Sequence, residues 1–416
     1  MSQNIASVIL QWEGKRTPVA SAASSPQRFE MVARHGAAER DNRLYQGENL
    51  AALGDMAREY AGKVDCIYID PPFNSSADYA ARVRLHGTQP KTLVLRQYRD
   101  RWSDSAYLQF MFERLVVLRD LLAETGSLFL HCDWHAAAAL RLVCDQVFGS
   151  KNLINEIIWT YGSGGGSKRA FGHKHDTILF YARNRRRYFF DPDAVRVPYR
   201  AVIAKKRQQL FHPDGMVCPD VWDIPRPPNH SPSWVGYPTQ KPIALVSRAL
   251  AAACPEQGLV LDCFAGSGTT LVAAAQSGRR FLGAENSSLG VHLTIKRLRA
   301  SGANVSVYRE AGILPPEGHV LVQRSGRSLT ISEFAPAALL AALNRAQIQV
   351  ADLQALIDTV AIDTNAAPSV FTPEMWFAPP LREFVPLDYL LPETAAAVTV
   401  ALTDVTGETY LTKVEP

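Results

Sequence analysis

Asp70-Pro71-Pro72-Phe73-Asn74 follows directly on an apolar run, Val64-Asp65-Cys66-Ile67-Tyr68-Ile69. Its residue types suit a planar ring that carries an amino group. The Asp70 carboxylate and the Pro71 carbonyl are two acceptors side by side, and Pro71 and Pro72 stiffen the backbone that aims them. An exocyclic amine offers two N–H donors to such a pair. Phe73 offers an aromatic face on which a base can stack. A bare Asp-Pro is more often an ordinary turn at a strand end, so the reading leans on a second motif, Phe264-Ala265-Gly266-Ser267-Gly268. Glycines after a strand permit a sharp turn and close approach of a ligand to the backbone. Glu285 lies 19 residues after Gly266, where a carboxylate can accept from both hydroxyls of a ribose. The unit reads as a binder of an adenosine-containing cofactor. Leu271 stands where the dinucleotide fingerprint needs a third glycine, and no Gly-Lys-Ser/Thr follows, so neither that fingerprint nor the Walker pattern is present.

The elements that must position these residues alternate. Residues 64–69 read as a buried parallel strand. Leu108, Met111, Phe112, Leu115, Leu118 and Leu122 recur at helical spacing over 106–124, with Glu113, Arg114, Arg119 and Asp120 between them, and Gly126 ends that helix. Residues 127–132 read as the next strand and 136–147 as the next helix. The pattern resumes with a strand at 258–262, a helix over 269–277 and a strand at 280–284 with Glu285 at its tip. Such alternation implies a parallel sheet with helices on its faces. Residues 1–40 read as an irregular arm. The middle, with its glycine loop at 162–166, cations, interleaved aromatics and prolines crowded over 213–242, reads as an insertion outside the sheet. Beyond about 305 the chain is acidic and alanine-rich. It has a helix-like stretch at 337–346, a Pro-rich linker at 368–392 and a hairpin pattern at 398–414 around Thr406-Gly407.

These motifs resemble a known family. "DPPFN" at 70–74 and "DCFAGSGTT" at 262–270 are similar to the catalytic and cofactor motifs of amino-methyltransferases that methylate DNA with S-adenosylmethionine. The order, catalytic motif first, resembles the β-class, a circular permutation of the usual fold. "YPTQKP" at 237–242 matches another signature of the family. "GENLAAL" at 47–53, "VDCIYIDPPFN" at 64–74 and "HDTILFYARN" at 175–184 look like modification subunits of type III restriction systems and related solitary enzymes. The resemblance covers roughly residues 40–300. It implies a Rossmann-like α/β methyltransferase sheet, circularly permuted, with a small C-terminal α+β extension. The division is then an arm (1–40), a catalytic half (41–159), a basic target-recognition insertion (160–236), a cofactor-binding half (237–304) and an acidic extension (305–416).

Carried over by residue, the resemblance implies that Asp70 and the Pro71 carbonyl, with Pro72 behind them, hold the target amine and that Phe73 stacks on the flipped base. Phe264, Gly266, Gly268 and Thr269 line the S-adenosylmethionine site, Glu285 binds the ribose, and Thr239 and Lys241 approach the amino-acid end of the cofactor. Cys263 stands where the family usually has proline, and Glu48 where it commonly has aspartate. Asp at the head of the catalytic motif favours N6 of adenine; N4 of cytosine is the alternative, and so is a DNA-binding modification subunit that needs a partner for activity. Carbon-5 cytosine chemistry needs a thiolate, typically in a Pro-Cys pair, and the chain has none. Leu271 argues against a nicotinamide oxidoreductase, and Asp70 against a glutamine-directed methyltransferase, where Asn is usual.

Composition sets the outer limits. The chain has 416 residues with 47% hydrophobic and 20% charged, which excludes collagen-like, coiled-coil and largely disordered classes. No run approaches a membrane span, and Met1 to Gly14 lacks the build of a secretory signal. Six scattered cysteines without a CxxC argue against a metal site and for reduced thiols in a cytoplasm. The net charge of +4 conceals two unlike parts. Residues 301–416 carry 6 basic and 13 acidic residues, net −7, which leaves +11 for residues 1–300. Residues 151–210 alone carry 13 basic against 4 acidic. That density is the footprint of a phosphate-binding surface. Its expected contacts are Lys168, Arg169, Lys174, Arg185, Arg186, Arg187, Lys205, Lys206 and Arg207. Double-stranded DNA is the expected partner, with a second copy of the chain and a restriction subunit as further ones.

Overall fold

A computed structural model describes residues 10–16, 28–36, 41–75, 78–87, 90–100, 102–162, 168–199, 211–227, 231, 234–365, 370–380, 382–393, 395 and 397–415. The first third holds β1 (Phe29–His35), β2 (Arg43–Gln46), α1 (Asn49–Tyr60), β3 (Val64–Ile69), β4 (Asp78–Arg84) and β5 (Thr92–Arg99). Next come α2 (Asp104–Leu121), β6 (Leu122–Cys132), α3 (Ala137–Phe148), β7 (Leu153–Thr160) and β8 (His175–Ala182). After β9 (Arg196–Val197), β10 (Met216–Val217) and β11 (Val221–Asp223) the alternation returns: α4 (Ile243–Ala253), β12 (Leu259–Asp262), α5 (Thr269–Gln276), β13 (Arg280–Glu285), α6 (Ser288–Ala300) and β14 (Val305–Glu310).

Ten strands form one sheet in the order β1-β14-β2-β13-β12-β3-β6-β8-β7-β11. Its centre, β2-β13-β12-β3-β6, is parallel. Strands β3 and β12 are neighbours although about 190 residues separate them, Cys66 pairing with Val260 and Ile67 with Leu261. Because they are parallel, the Asp70 end of β3, the Asp262 end of β12 and the Glu285 end of β13 meet at one edge of the sheet. The middle stretches of these strands are mostly apolar because both faces are covered. Ile67, Leu128 and Leu261 point toward Leu53, Met56, Met111, Leu115 and Val143 of α1, α2 and α3. Their neighbours Cys66, Phe129 and Val260 point toward Leu245, Leu250, Leu271 and Ile295 of α4, α5 and α6. This period-two split is what a buried strand imposes.

The acidic extension forms β15 (Gly318–Ser325), β16 (Ser328–Pro336), α7 (Ala337–Arg345), β17 (Ile357–Asp363), β18 (Met375–Phe377), β19 (Asp388–Leu390), β20 (Val398–Asp404) and β21 (Thr409–Val414). They make a three-stranded sheet, β15-β16-β19, and a four-stranded one, β18-β17-β20-β21. The expected hairpin is the pair β20–β21, with Leu402 opposite Tyr410. The extension shares a core with the β4–β5 ribbon: Val83, Leu85 and Leu93 pack with Leu329, Val360 and Leu402.

Three expectations are corrected. The N-terminal arm contains β1, which closes one edge of the sheet antiparallel to β14; Phe29 anchors it, fully buried against Tyr45. Residues 160–236 are not wholly outside the sheet. The continuous apolar run Thr177 to Ala182 is buried throughout and forms most of β8, between β6 and β7, and β11 adds the far edge. The sheet also continues past residue 304 into β14.

Candidate active site

Asp100 builds the catalytic turn. It is fully buried and gathers the backbone that follows the two prolines. Its carboxylate accepts from the N–H groups of Phe73 at 3.2 Å, Asn74 at 2.7 Å and Ser75 at 2.8 Å, and from the Ser75 hydroxyl at 2.7 Å. These bonds hold Asn74 at φ 56°, a left-handed conformation that costs a β-carbon-bearing residue about 1–2 kcal/mol. The Tyr107 hydroxyl donates to the Pro72 carbonyl at 2.7 Å. The turn after β3 is thus fixed from α2 and from the end of β5. Asp70 emerges from it half-buried. Lys241 Nζ donates to Asp70 Oδ2, while Oδ1 is buried with no hydrogen-bond partner.

Lys241 Nζ lies 5.2 Å from the Phe73 ring centre, and the His131 imidazole is near-parallel to that ring with centres 6.1 Å apart. His131 is fully buried, and burial, then the Lys241 charge, lowers its pKa. The neutral ring accepts from the Tyr68 hydroxyl at Nδ1, 3.0 Å, and donates from Nε2 to Asp176 at 3.1 Å. Asp176 also receives the Tyr161 hydroxyl at 2.9 Å and lies 3.4 Å from Arg226. A polar chain therefore runs from beneath Phe73 toward the basic segment.

The glycine loop follows β12, the strand beside β3. Gly266 at φ 53° and Gly268 at φ 77° take conformations that favour glycine. A β-carbon on Gly268 would stand 2.6 Å from Thr294 Oγ1. Arg297 of α6 secures the loop, donating to the Ser267 carbonyl at 2.5 Å and to Thr269 Oγ1 at 3.2 Å. Glu285 accepts from Gly266 N–H and Ser287 N–H, both at 2.8 Å. Burial pushes its carboxyl up to about 7 against the pull of those N–H groups. Asp262, which accepts from Phe264 N–H at 2.9 Å, is pushed by burial to about 7 as well.

Between the turn and the loop lies a cavity of about 350 Å³. Asp70, Pro72, Thr239, Lys241, Phe264, Gly266, Thr269 and Glu285 all line it. Phe73 does not line it, although its neighbour Pro72 does. Gly268 stands back from the wall and serves the turn instead. Lys241 both lines this cavity and donates to Asp70. Thr239, at φ 62°, turns the chain so that the next side chain but one meets β3. The cavity suits an adenosine-bearing ligand: its size is that of a small-molecule site, and the half-buried Glu285 carboxylate faces it from the tip of β13.

The cations divide. Strand β7 is antiparallel to β8, and β8 to β6, so the end of β7 and the start of β8 lie at the edge of the sheet that carries Asp70. Lys168 and Arg169 are exposed there, and Lys174 is half-buried. Arg185, Arg186 and Arg187 follow the far end of β8, at the opposite edge, roughly 25 Å away for eight residues of strand. Arg185 donates to the carbonyls of Lys151 and Leu153, and Arg187 lies 3.9 Å from Glu124. The triplet is thus not part of one surface with Lys168 and Arg169. Lys205, Lys206 and Arg207 lie outside the described residues.

Sequence reading missed Asp100, Tyr107, Arg297, His131 and Arg114. Arg114 had a signal: it stands three residues after Met111, on the apolar face of α2. It is buried and donates to Asn49 Oδ1 at 2.6 Å and to Glu48, and Asn49 donates to the Cys263 carbonyl at 3.1 Å. Glu48 thus caps α1 and braces the cofactor strand. Among the described residues no group of His, Cys, Asp and Glu could hold a metal ion, and no helix is long and apolar enough to cross a membrane.

A permuted sheet with a carboxylate-proline turn and a glycine loop at neighbouring strand tips defines a nucleoside-cofactor transferase site. The chain belongs to the DNA methylase family, whose model matches residues 64–296, more than half its length. It is 28% identical over 254 residues to the DNA adenine methyltransferase YhdJ of Escherichia coli K12, covering 59% of this chain and 80% of that one. It is 30% identical over 242 residues to the type II methyltransferase M1.MboII of Moraxella bovis, covering 53% and 84%. Over 156 residues it is 29% identical to the Mod subunit of the type III enzyme EcoP15I of Escherichia coli, covering 34% of this chain and 24% of that subunit.

Proposed function

We propose that the chain transfers a methyl group from S-adenosylmethionine to the exocyclic N6 of an adenine flipped out of double-stranded DNA. The observation that carries this reading is Asp70, which lines the cavity that also holds Gly266 and Glu285 and whose Oδ1 is a buried acceptor with no hydrogen-bond partner. A buried carboxylate oxygen without a donor is costly, and an aromatic amine supplies the missing N–H. Bound in the cavity, with Glu285 on its ribose hydroxyls, S-adenosylmethionine supplies an electrophilic methyl group.

The remaining work falls to the chain. An aromatic amine is a weak nucleophile because its lone pair is spread into the ring. Asp70 Oδ1 and the Pro71 carbonyl accept its two N–H bonds and turn the lone pair toward the methyl group, while Phe73 holds the ring. Positive charge would build on the nitrogen as the N–C bond formed and the methyl–sulfur bond broke, its electron pair going to the sulfur, and Asp70 would offset that charge and take the proton. Lys241 holds Oδ2, which leaves Oδ1 as the oxygen without a partner. Flipping costs a few kcal/mol of unpairing and unstacking, which binding of the duplex must offset; Lys168 and Arg169 at the catalytic edge supply phosphate contacts. A second copy of the chain and a restriction subunit are proposed as partners on the likeness to modification subunits. Light scattering that finds a monomer on and off DNA would refute the first.

Transfer of labelled methyl groups to unmethylated DNA tests the site. Asp70→Ala is expected to lose on the order of 10²- to 10³-fold in rate, with cofactor affinity by calorimetry changed by less than about threefold. An Asp70→Ala variant with full activity removes the assignment.

A further inference from the structure

Phe171 is 98% exposed, an unusual position for a phenyl ring on a soluble surface. Its place in the fold is informative. Phe171 precedes the start of β8, which lies at the edge that carries Asp70. The neck of the 161–174 connection is closed by Tyr161 N–H donating to the Lys174 carbonyl at 3.1 Å. Beside the neck, His173 stacks on Trp134 at 4.2 Å and 7°. Trp134 follows the end of β6, also stacks on His135 at 3.5 Å, and is itself 46% exposed. An aromatic pair thus stands at this edge of the sheet, with Phe171 two residues before His173 and the exposed cations Lys168 and Arg169 just before Phe171 in the chain.

The distances fit the catalytic turn. Strand β8 is two strand spacings from β3, roughly 10 Å. Phe171 is three residues from Lys174, a span of at most about 10 Å. The ring can therefore reach the space above the turn that holds Phe73. A base drawn into that turn leaves a gap in the duplex, and an apolar ring between cations that bind the flanking phosphates is suited to fill it. We propose that Phe171 inserts into the DNA stack in place of the flipped base, with the Trp134–His173 pair as its platform. The inference rests on the methyl-transfer reading and extends it with a positioning residue that never touches the reacting atoms.

The test uses the full chain, unmethylated DNA, and duplexes bearing the target site mapped on that DNA. The Phe171→Ala variant is expected to methylate the matched duplex on the order of tenfold more slowly, as loss of one aromatic stack on a base predicts. Phe171→Trp is expected to retain the wild-type rate. A duplex with an abasic position opposite the target, where flipping costs less, is expected to bring Phe171→Ala to within about twofold of wild type. A wild-type rate for Phe171→Ala on matched DNA overturns the proposal, and so does an equal loss on matched and abasic duplexes, which marks an ordinary contact or a misfolded loop. A wild-type chain that binds cofactor but methylates no DNA defeats the methyl-transfer reading itself, and the wedge with it.

Discussion

Glu285 holds the loop and also faces the cofactor cavity, and its carboxyl is pushed up to about 7 by burial. Binding of a ribose through two hydroxyl donors needs the ionised form. As pH falls through about 7 the ligand-free carboxyl takes up a proton, so cofactor affinity falls in that direction, by up to about tenfold per pH unit. Above about 8 the affinity is expected to level off. Calorimetric titration with S-adenosylmethionine from pH 6 to 8.5 measures this. Glu285→Gln is expected to bind more weakly at pH 8 and to lose most of the slope, Asp262 supplying the remainder from its own raised pKa. A flat profile in the unaltered protein would contradict the assignment of Glu285 to the ribose.

At the scale of elements, three strand tips, β3, β12 and β13, carry the chemistry, and α2 and α6 hold their loops in place. The catalytic turn depends on Asp100 for four hydrogen bonds. Asp100→Ala is expected to lower methyl transfer on the order of 100-fold while leaving cofactor affinity within about threefold, since the bonds end on residues 73–75 and not on the glycine loop. Equal losses in both measurements would show a general collapse instead. Much of this layer was legible in the sequence. Strands that are apolar on both faces and end at Asp70, Asp262 and Glu285 announce themselves, and the helices between them obey their period. Strand β8 was hidden because glycine and cations crowd its entrance and arginines its exit, and its direction, which separates Arg185 from Lys168, depends on partners distant in the chain. Asp100 was hidden for the same reason: its three acceptor contacts to backbone N–H groups lie across a β-ribbon.

The whole molecule joins a basic catalytic body to an acidic extension, and the joint is a buried ionic cluster. Asp358 of β17 accepts from His86 at 2.7 Å, His292 at 2.6 Å and Lys296 at 2.8 Å. Gly407 completes the fit, since a β-carbon there would lie 2.5 Å from the Ser288 carbonyl at the start of α6. Although burial opposes it, the hydrogen bonds of His292 and His86 hold the Asp358 carboxyl well below its usual range. A depressed carboxyl contributes stability that is complete above the usual Asp range near 3.8 and is lost as pH falls through lower values. At pH 7 the Asp358→Ala variant is therefore expected to lose about 3 kcal/mol by denaturant titration, because it strands buried partners. A loss below about 0.5 kcal/mol would mean that the extension is held by its apolar contacts alone. The charge contrast was visible in the sequence, but its joint was not, because His86, His292 and Asp358 are isolated residues in unrelated segments.

The central claim is adenine N6 methylation at Asp70, and nucleoside analysis of DNA bears on it most directly. Unmethylated duplex DNA is incubated with the full chain and S-adenosylmethionine, digested, and its nucleosides are separated and weighed by mass spectrometry. The account predicts N6-methyladenine that appears with the unaltered chain and is absent with Asp70→Ala. N4-methylcytosine without N6-methyladenine would contradict it.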